Sequence, residues 1–184
     1  MSERVILGID PGTKIMGYGI ILVREKDPQL LKMGVCNFSR ISDHYLRLEK
    51  IFQNMLELID TFHPDELAIE APFYGKNIQS MLKLGRAQGV AISAALSRQI
   101  PIYEYAPRKI KLSITGQGAA SKEQVAAFLK SLLHFDEIPK NLDATDGLAV
   151  ALCHYYQRNA ISKVKSYSGW EDYVKKNPGR TFEH

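Results

Sequence analysis

Short apolar runs separated by turn residues open the chain. Residues 5–9 and 17–21 have the apolar composition of buried strands, and Pro11 and Gly12 between them predict a tight turn. A third apolar run lies within residues 30–38, after a polar turn at residues 25–28. The chain is therefore expected to begin with three antiparallel strands.

The next apolar positions recur every three to four residues, as on one face of an α-helix. They predict a helix from about residue 44 to residue 62, capped by Ser42 or Asp43 and followed by Pro64. A short strand at residues 65–70 comes next. Strand–helix–strand units join parallel strands through a right-handed crossover.

Two carboxylates end predicted strands, Asp10 the first and Glu70 the fourth. If these two strands are parallel neighbours, the carboxylates lie side by side at one sheet edge, where α/β sheets bind ligands. A turn-capping role for Asp10 is the simpler alternative.

The second half of the chain predicts mainly helices. Its segments are a long helix rich in small residues at 78–99, a fifth strand at 101–105, a basic helical segment at 106–114, a helix that starts with a capping box at Ser121 and Gln124, and a last helix from 142 to about 158. His154 lies deep in the last helix and is expected to be structural.

This order of elements predicts an α/β fold with a mixed five-stranded sheet flanked by helices. Residues 1–160 are expected to form one domain, a size that suits a chain of 184 residues. Periodicity is lost after that point, so residues 161–184 are expected to form a basic, flexible tail.

The composition argues against membrane and secreted classes. The sequence has no run of about 18 apolar residues and no signal-peptide pattern at its start. Cys36 and Cys153 are far apart and make no zinc motif, which fits a reducing compartment. A cytoplasmic protein without a membrane partner is expected.

Positive charge is concentrated in the middle of the chain. Residues 71–122 carry eight basic residues and one acidic residue, a net +7, while the whole chain has +4 and the remainder therefore −3. Such a segment favours a nucleic-acid partner, although a solvated basic helix face would give the same count. The candidate DNA contacts are Lys76, Arg108, Lys109, Lys111 and Lys122.

Two aromatic residues follow Glu70 closely. Phe73 and Tyr74, with Lys76 beside them, could stack on or wedge between nucleobases. From composition alone, packing of Phe73 beneath its loop is the favoured alternative.

Asp143 and Asp146 share one face of the first turn of the last helix, where acids also favour the helix dipole. Together with Asp10 and Glu70 they could form a cluster of four carboxylates, which requires cations for neutralisation. Oxygen ligands select Mg²⁺, with Mn²⁺ as a substitute. Two such ions about 4 Å apart would drive phosphoryl displacement.

The segments GIDPG, LAIE-x-x-F, KLGRAQGVA and DATDGLAVA, with Lys111 and Lys122, closely resemble the RuvC family of bacterial Holliday-junction resolvases over roughly residues 4–158. This resemblance implies a ribonuclease-H-like homodimer that cuts four-way DNA junctions symmetrically with Mg²⁺ and cooperates with a branch-migration complex. It implies that the four acids are catalytic metal ligands and that the two lysines are essential.

The same resemblance assigns the junction wedge to Phe73, against the packing alternative, and makes the helix at 78–99 the dimer helix. Ala71 and Pro72 depart from the family pattern, and a stiffer loop is expected. Tyr74 is a second candidate wedge. Three other functions are weighed: a ribonuclease-H-like nuclease on RNA–DNA hybrids, a non-catalytic junction-binding module, and an actin-like ATPase, for which the chain is too short.

Overall fold

A computed structural model describes residues 3–25, 27–72, 77–163 and 174–175, with side chains up to residue 159 in the last helix. Its elements, in chain order, are β1 (Arg4–Asp10), β2 (Ile15–Arg24), β3 (Asp27–Asn37), α1 (His44–Phe62), β4 (Glu66–Glu70), α2 (Ile78–Leu96), β5 (Ile102–Tyr105), α3 (Pro107–Thr115), α4 (Lys122–Leu133) and α5 (Asp143–Lys163).

The five strands form one mixed sheet in the order β3-β2-β1-β4-β5. β2 is antiparallel to both β1 and β3, whereas β4 is parallel to both β1 and β5. Ile9 pairs with Ile69, so the next residues, Asp10 and Glu70, end neighbouring parallel strands. The predicted α/β class and five-stranded sheet are confirmed.

Alternating side chains of the strands supply two hydrophobic cores, one on each face of the sheet. In β1, Ile6 packs into the core formed with α3, α4 and α5, while Leu7 and Ile9 pack into the core formed with α1 and α2. Helix α5 is buried around much of its circumference and packs across β1 and β2. This packing fixes the place of its acidic first turn.

Glycines allow α5 to approach the hairpin of β1 and β2 at backbone distance. A Cβ on Gly17 would overlap the carbonyl of Asp143, and a Cβ on Gly147 would overlap the backbone of Gly17 and Tyr18. Only glycine at these two positions lets the strand and the helix touch. This contact places the first turn of α5 beside the end of β1.

Several predicted boundaries are wrong. β2 covers ten residues rather than five, and β3 begins at Asp27 rather than near residue 30. Glu25, directly after β2, lies in the left-handed region (φ 50°), which ends the strand there. Helix α2 ends at Leu96, three residues early, because a turn takes Gln99 to φ 59°.

Helix α5 continues to Lys163, beyond its predicted end near residue 158 and into the segment predicted as a tail. Apolar packing supports it through Tyr155, and no Gly or Pro stands between there and Lys163 to stop it. Most of the predicted tail, residues 164–173 and 176–184, lies outside the described residues. Among the helices described, none has the length and apolar character required of a membrane span.

Candidate active site

Four carboxylates come together at the edge of the sheet where β1 and β4 end. Asp10 and Glu70 are the last residues of these strands, and Asp143 and Asp146 lie in the first turn of α5. Carboxylate oxygens of Asp10, Asp143 and Asp146 lie within 4.8 Å of one another. Glu70 is outside this group of three but lines the same cleft as Asp10 and Asp146.

The cleft has a volume of about 220 Å³ and opens between the sheet edge and the helices α3, α4 and α5. One side is apolar and consists of Pro107, Ile110, Val125 and Ala149. These four residues carry no sequence signal of their own, because nothing in a local apolar pattern distinguishes a cleft wall from the core beside it.

Burial and mutual repulsion act strongly on the acids at the strand ends. Burial, with the negative charges of Glu70 and Asp146, raises the pKa of Asp10 to about 8. Burial and the charge of Asp146 raise the pKa of Glu70 to about 7. Burial also raises the pKa of Asp146, against the opposing hydrogen bond from Lys122. The cluster therefore lacks enough positive charge of its own.

Lys122 supplies the nearest positive charge. It is the first residue of α4, where the capping box between Ser121 and Gln124 starts the helix. Its Nζ donates a hydrogen bond of 2.9 Å to Asp143 Oδ1 and another to Asp146 Oδ2. Desolvation lowers the pKa of Lys122, but these hydrogen bonds and charges outweigh it and the net pKa is raised.

Lys111 approaches the cluster from α3. It lines the cleft, and its charge partly offsets the rise in the pKa values of Glu70 and Asp146. Both lysines with proposed roles therefore face the carboxylates, from two different helices. The other two basic candidates on α3, Arg108 and Lys109, are exposed and do not line the cleft; the Lys109 ammonium lies 5.4 Å from the ring centre of Tyr105.

Residues 73–76 lie outside the described residues, so the structure assigns no place to Phe73, Tyr74 or Lys76. Gly17 and Gly147 were missed as determinants of the site. Gly147 directly follows Asp146 in the DATDG segment, and this adjacency is the one sequence signal that could have marked it.

The donor chemistry of the cluster suits a hard divalent cation. All donors are carboxylate oxygens, which Mg²⁺, Ca²⁺ and Mn²⁺ prefer, and neither cysteine lines the cleft. The raised pKa values of Asp10 and Glu70 show that their charged forms are unfavourable here, and a bound cation would stabilise those forms. Asp10, Asp143 and Asp146, with Glu70 beside them, could therefore hold a metal.

Comparisons with known proteins agree on one family. The family model for crossover junction endodeoxyribonuclease RuvC matches residues 6–154. The RuvC protein of Christiangramia forsetii is 60% identical over 177 residues, which are 96% of this chain and 92% of that protein. The RuvC protein of Bacteroides fragilis is 57% identical over 182 residues, 98% of this chain and 97% of that protein.

Solved structures lead to the same family. Thermus thermophilus RuvC has a TM-score of 0.76 and 32% identity, over 85% of this chain and 97% of that chain. Its complex with a Holliday junction substrate has a TM-score of 0.77 and 31% identity, over 85% of this chain and 96% of that chain. The resemblance inferred from the sequence motifs is confirmed: this chain belongs to the crossover junction endodeoxyribonuclease RuvC family.

Proposed function

We propose that this chain resolves four-way DNA junctions by paired, symmetric nicks, through metal-dependent hydrolysis of phosphodiester bonds in recombination and repair. The observation that carries the proposal is the group of Asp10, Asp143 and Asp146, whose carboxylate oxygens lie within 4.8 Å of one another. Asp10 and Asp146 line a cleft that Glu70 also lines. Membership of the family supports the substrate, because a Thermus thermophilus relative is described in complex with a Holliday junction.

Asp10, Glu70, Asp143 and Asp146 are the proposed ligands of two Mg²⁺ ions, for which Mn²⁺ would substitute. When bound, such a pair supplies activation of water and neutralisation of charge on the leaving oxygen. The four carboxylates would hold these cations at the sheet edge, where β1 and β4 end. The apolar wall of Pro107, Ile110, Val125 and Ala149 limits water around the reacting groups.

Lys111 and Lys122 are the proposed catalytic cations of the protein itself. Their ammonium groups reach the cleft from α3 and α4, where a phosphate oxygen of bound DNA would compete with the carboxylates for them. Preorganised donors at such a place stabilise charge that develops in the transition state. Lys76, Arg108 and Lys109 are proposed to hold backbone phosphates farther from the scissile bond.

Phe73 is proposed to wedge the junction, with Tyr74 as a second candidate. The described residues that flank residues 73–76 support a wedge close to the acids. Ala71, which directly follows Glu70, donates its N–H to the Tyr105 carbonyl at 2.9 Å. The loop then ends at Asn77, which caps α2 through its side chain. An aromatic side chain that leaves the sheet at this point would meet DNA bound across the acidic cleft.

A homodimer is proposed through α2. Ile78, Leu82, Gly85, Gly89, Ile92 and Leu96 follow one another at three- and four-residue steps along one face of this helix. Ile78 is 70% exposed and Leu82 53%. Apart from the chain neighbours and the nearby backbone of α2 itself, no described atom lies within 4 Å of a Cβ built on Gly85 or Gly89. A second copy would cover this face, and a twofold dimer would present two equivalent active sites to a twofold junction.

The cellular setting follows from the same proposal. The free thiols of Cys36 and Cys153 support a reducing, cytoplasmic compartment. Cooperation with a branch-migration complex rests on family membership.

The deciding experiment uses a synthetic four-way junction with Mg²⁺ and resolves the products on a denaturing gel. Paired nicks at symmetry-related positions are expected, absent in EDTA and absent with linear duplex. Cutting of an RNA–DNA hybrid at an equal rate would replace the proposal with a general ribonuclease-H-like nuclease. Junction binding without nicks at any Mg²⁺ or Mn²⁺ concentration, on junctions of varied sequence, would reduce the chain to a recognition module.

A further inference from the structure

Gln88 is an amide side chain buried on the inner face of α2. The other buried residues of this helix are alanines, namely Ala87, Ala91, Ala94 and Ala95. Gln88 is 7% exposed. A buried amide is costly unless its hydrogen bonds are made, so its partners are informative.

The Nε2 group of Gln88 donates to the ends of two strands. It makes a hydrogen bond of 2.9 Å to Glu104 Oε2 on β5 and a longer one of 3.4 Å to the main-chain oxygen of Glu70 on β4. In the sheet, Glu104 is paired with Ile69 and Glu70 with Tyr105. One amide therefore links α2 to the last two residue pairs between β4 and β5.

This link acts on the backbone that carries a proposed metal ligand. Side chains alternate along β4, so the Glu70 carboxylate extends into the cleft on the α5 side, while Gln88 approaches from the α2 side. The only described residues between Glu70 and the loop at 73–76 are Ala71 and Pro72. Gln88 therefore braces the strand end just before the chain leaves the sheet.

We propose that Gln88 is a positioning residue for the nuclease reaction: it holds the main chain of Glu70 in register from the α2 side and acts through Glu70 and Glu104 without touching DNA. This inference rests on the proposed function. Its physical basis is that active-site ligands must be held within a fraction of an ångström, and partners behind the ligands provide this support.

The two faces of α2 have different proposed roles. Gly89, on the exposed face proposed for dimer contact, directly follows Gln88 in the same helical turn. The helix that meets the second copy is thus the helix that braces Glu70. Dimer assembly and the geometry of the active site share one rigid element.

The test compares two substitutions of nearly equal size. Gln88→Met keeps the shape of the side chain but has no N–H donor, whereas Gln88→Lys keeps a donor for Glu104 and for the Glu70 carbonyl. Ser93→Ala is the matched control, because it removes a hydrogen bond of 2.8 Å that stays within α2. For each variant, we would measure kcat at saturating junction, junction Kd in EDTA, Tm and dimer mass.

Gln88→Met is expected to lower kcat about tenfold while junction Kd stays within about twofold and the dimer persists. Gln88→Lys is expected to restore most of kcat, and Ser93→Ala to match the unmodified protein. Glu104→Leu alone is expected to lower kcat less than Gln88→Met does, because Gln88 keeps its bond to the Glu70 carbonyl. The double variant is expected to be no worse than Gln88→Met, because the bond to Glu104 is already lost in that single variant.

Equal kcat for Gln88→Met and the unmodified protein would overturn the inference, as would losses in kcat that add in the double variant. If Gln88→Met fails to fold, the comparison of Gln88→Lys with Glu104→Leu decides: loss with Glu104→Leu and retention with Gln88→Lys supports the link, and any other pattern rejects it. Absence of nicking by the unmodified protein would instead reject the proposed function itself.

Discussion

The ammonium of Lys122 lies 2.9 Å from the carboxylate of Asp143 and also bonds to Asp146. A residue at the start of α4 thus neutralises part of an acidic cluster whose other members come from β1, β4 and α5. Because Lys122 and Asp143 are 21 positions apart, this contact exists only in the folded chain.

Lys122→Ala should therefore lower the rate of junction cutting by about 100-fold, since it removes a preorganised cation from the reacting centre. Junction binding should change by only a few fold, because many basic residues share the phosphate contacts. Lys130→Ala, in the exposed last turn of the same helix, is the control for charge and helix stability. Equal losses in kcat and affinity would show that Lys122 only contacts the phosphate backbone of the DNA.

Asp10→Asn should abolish cutting and keep junction binding, because it removes a ligand charge with little change in shape. In EDTA its Tm should rise by a few degrees, since burial and the charges of Glu70 and Asp146 oppose a carboxylate at this position. Adding Mg²⁺ should raise the Tm of the unmodified protein more than that of the variant. Asp136→Asn, an exposed acid outside the cleft, should do none of this; cutting that survived Asp10→Asn would contradict the metal assignment.

Leu82→Glu should convert the proposed dimer into a monomer, because it places a charge in the middle of the exposed apolar face of α2. Light scattering would report the mass, and the junction assay should show the loss of paired nicks. Leu31→Glu on β3, where the leucine is 44% exposed, is the matched control. A dimer that persisted with Leu82→Glu would place the interface elsewhere.

A polar network centred on the buried carboxylate of Glu66 links β4 to α5 away from the cleft. Glu66 is 4% exposed and lies 2.7 Å from Arg158, 2.9 Å from His154 and 3.5 Å from Arg4. Glu66→Ala should lower the free energy of unfolding by about 3 kcal/mol, because it leaves these partners without their carboxylate. Asp60→Ala, which breaks the exposed pair with Arg98, should cost much less, because solvent screens this pair. Urea titration of the two variants would measure the difference, and equal costs would contradict the argument.

His154 should make stability depend on pH. It is fully buried, with Nδ1 2.7 Å from the Tyr105 hydroxyl, and burial lowers its pKa below the usual 6.5 despite the hydrogen bond and charge of Glu66. The unfolded chain therefore takes up this proton at a higher pH than the folded chain does. The contribution of His154 to stability is complete above pH 6.5 and is lost as the pH falls below it. His154→Gln should reduce the slope of the free energy of unfolding between pH 5 and 6.5; an unchanged slope would assign it to other groups.

Much of the fold was predictable because its signals are local. Apolar alternation marks the strands, a three-to-four-residue period marks the helices, and Asp43 and Ser121 mark helix starts as N-caps. The structure confirms the α/β class and the five strands. It also confirms that His154 is buried within the last helix, as expected of a structural residue. The predicted ends of strands and helices were less accurate. The turns at Glu25 and Gln99 depend on a left-handed backbone conformation that these residue types do not predict.

The sequence by itself determined that Asp10 and Glu70 end strands, that Asp143 and Asp146 share a helical turn, and that the motifs belong to one family of nucleases. Tertiary structure alone decided that Gly17 and Gly147 let α5 touch the hairpin, that Lys122 bonds to the acids, and that Gln88 braces the end of β4. The physical reason is the range of the interactions. Hydrophobic period and capping act over a few residues, whereas close backbone contacts and hydrogen bonds between distant segments form only when the whole core packs.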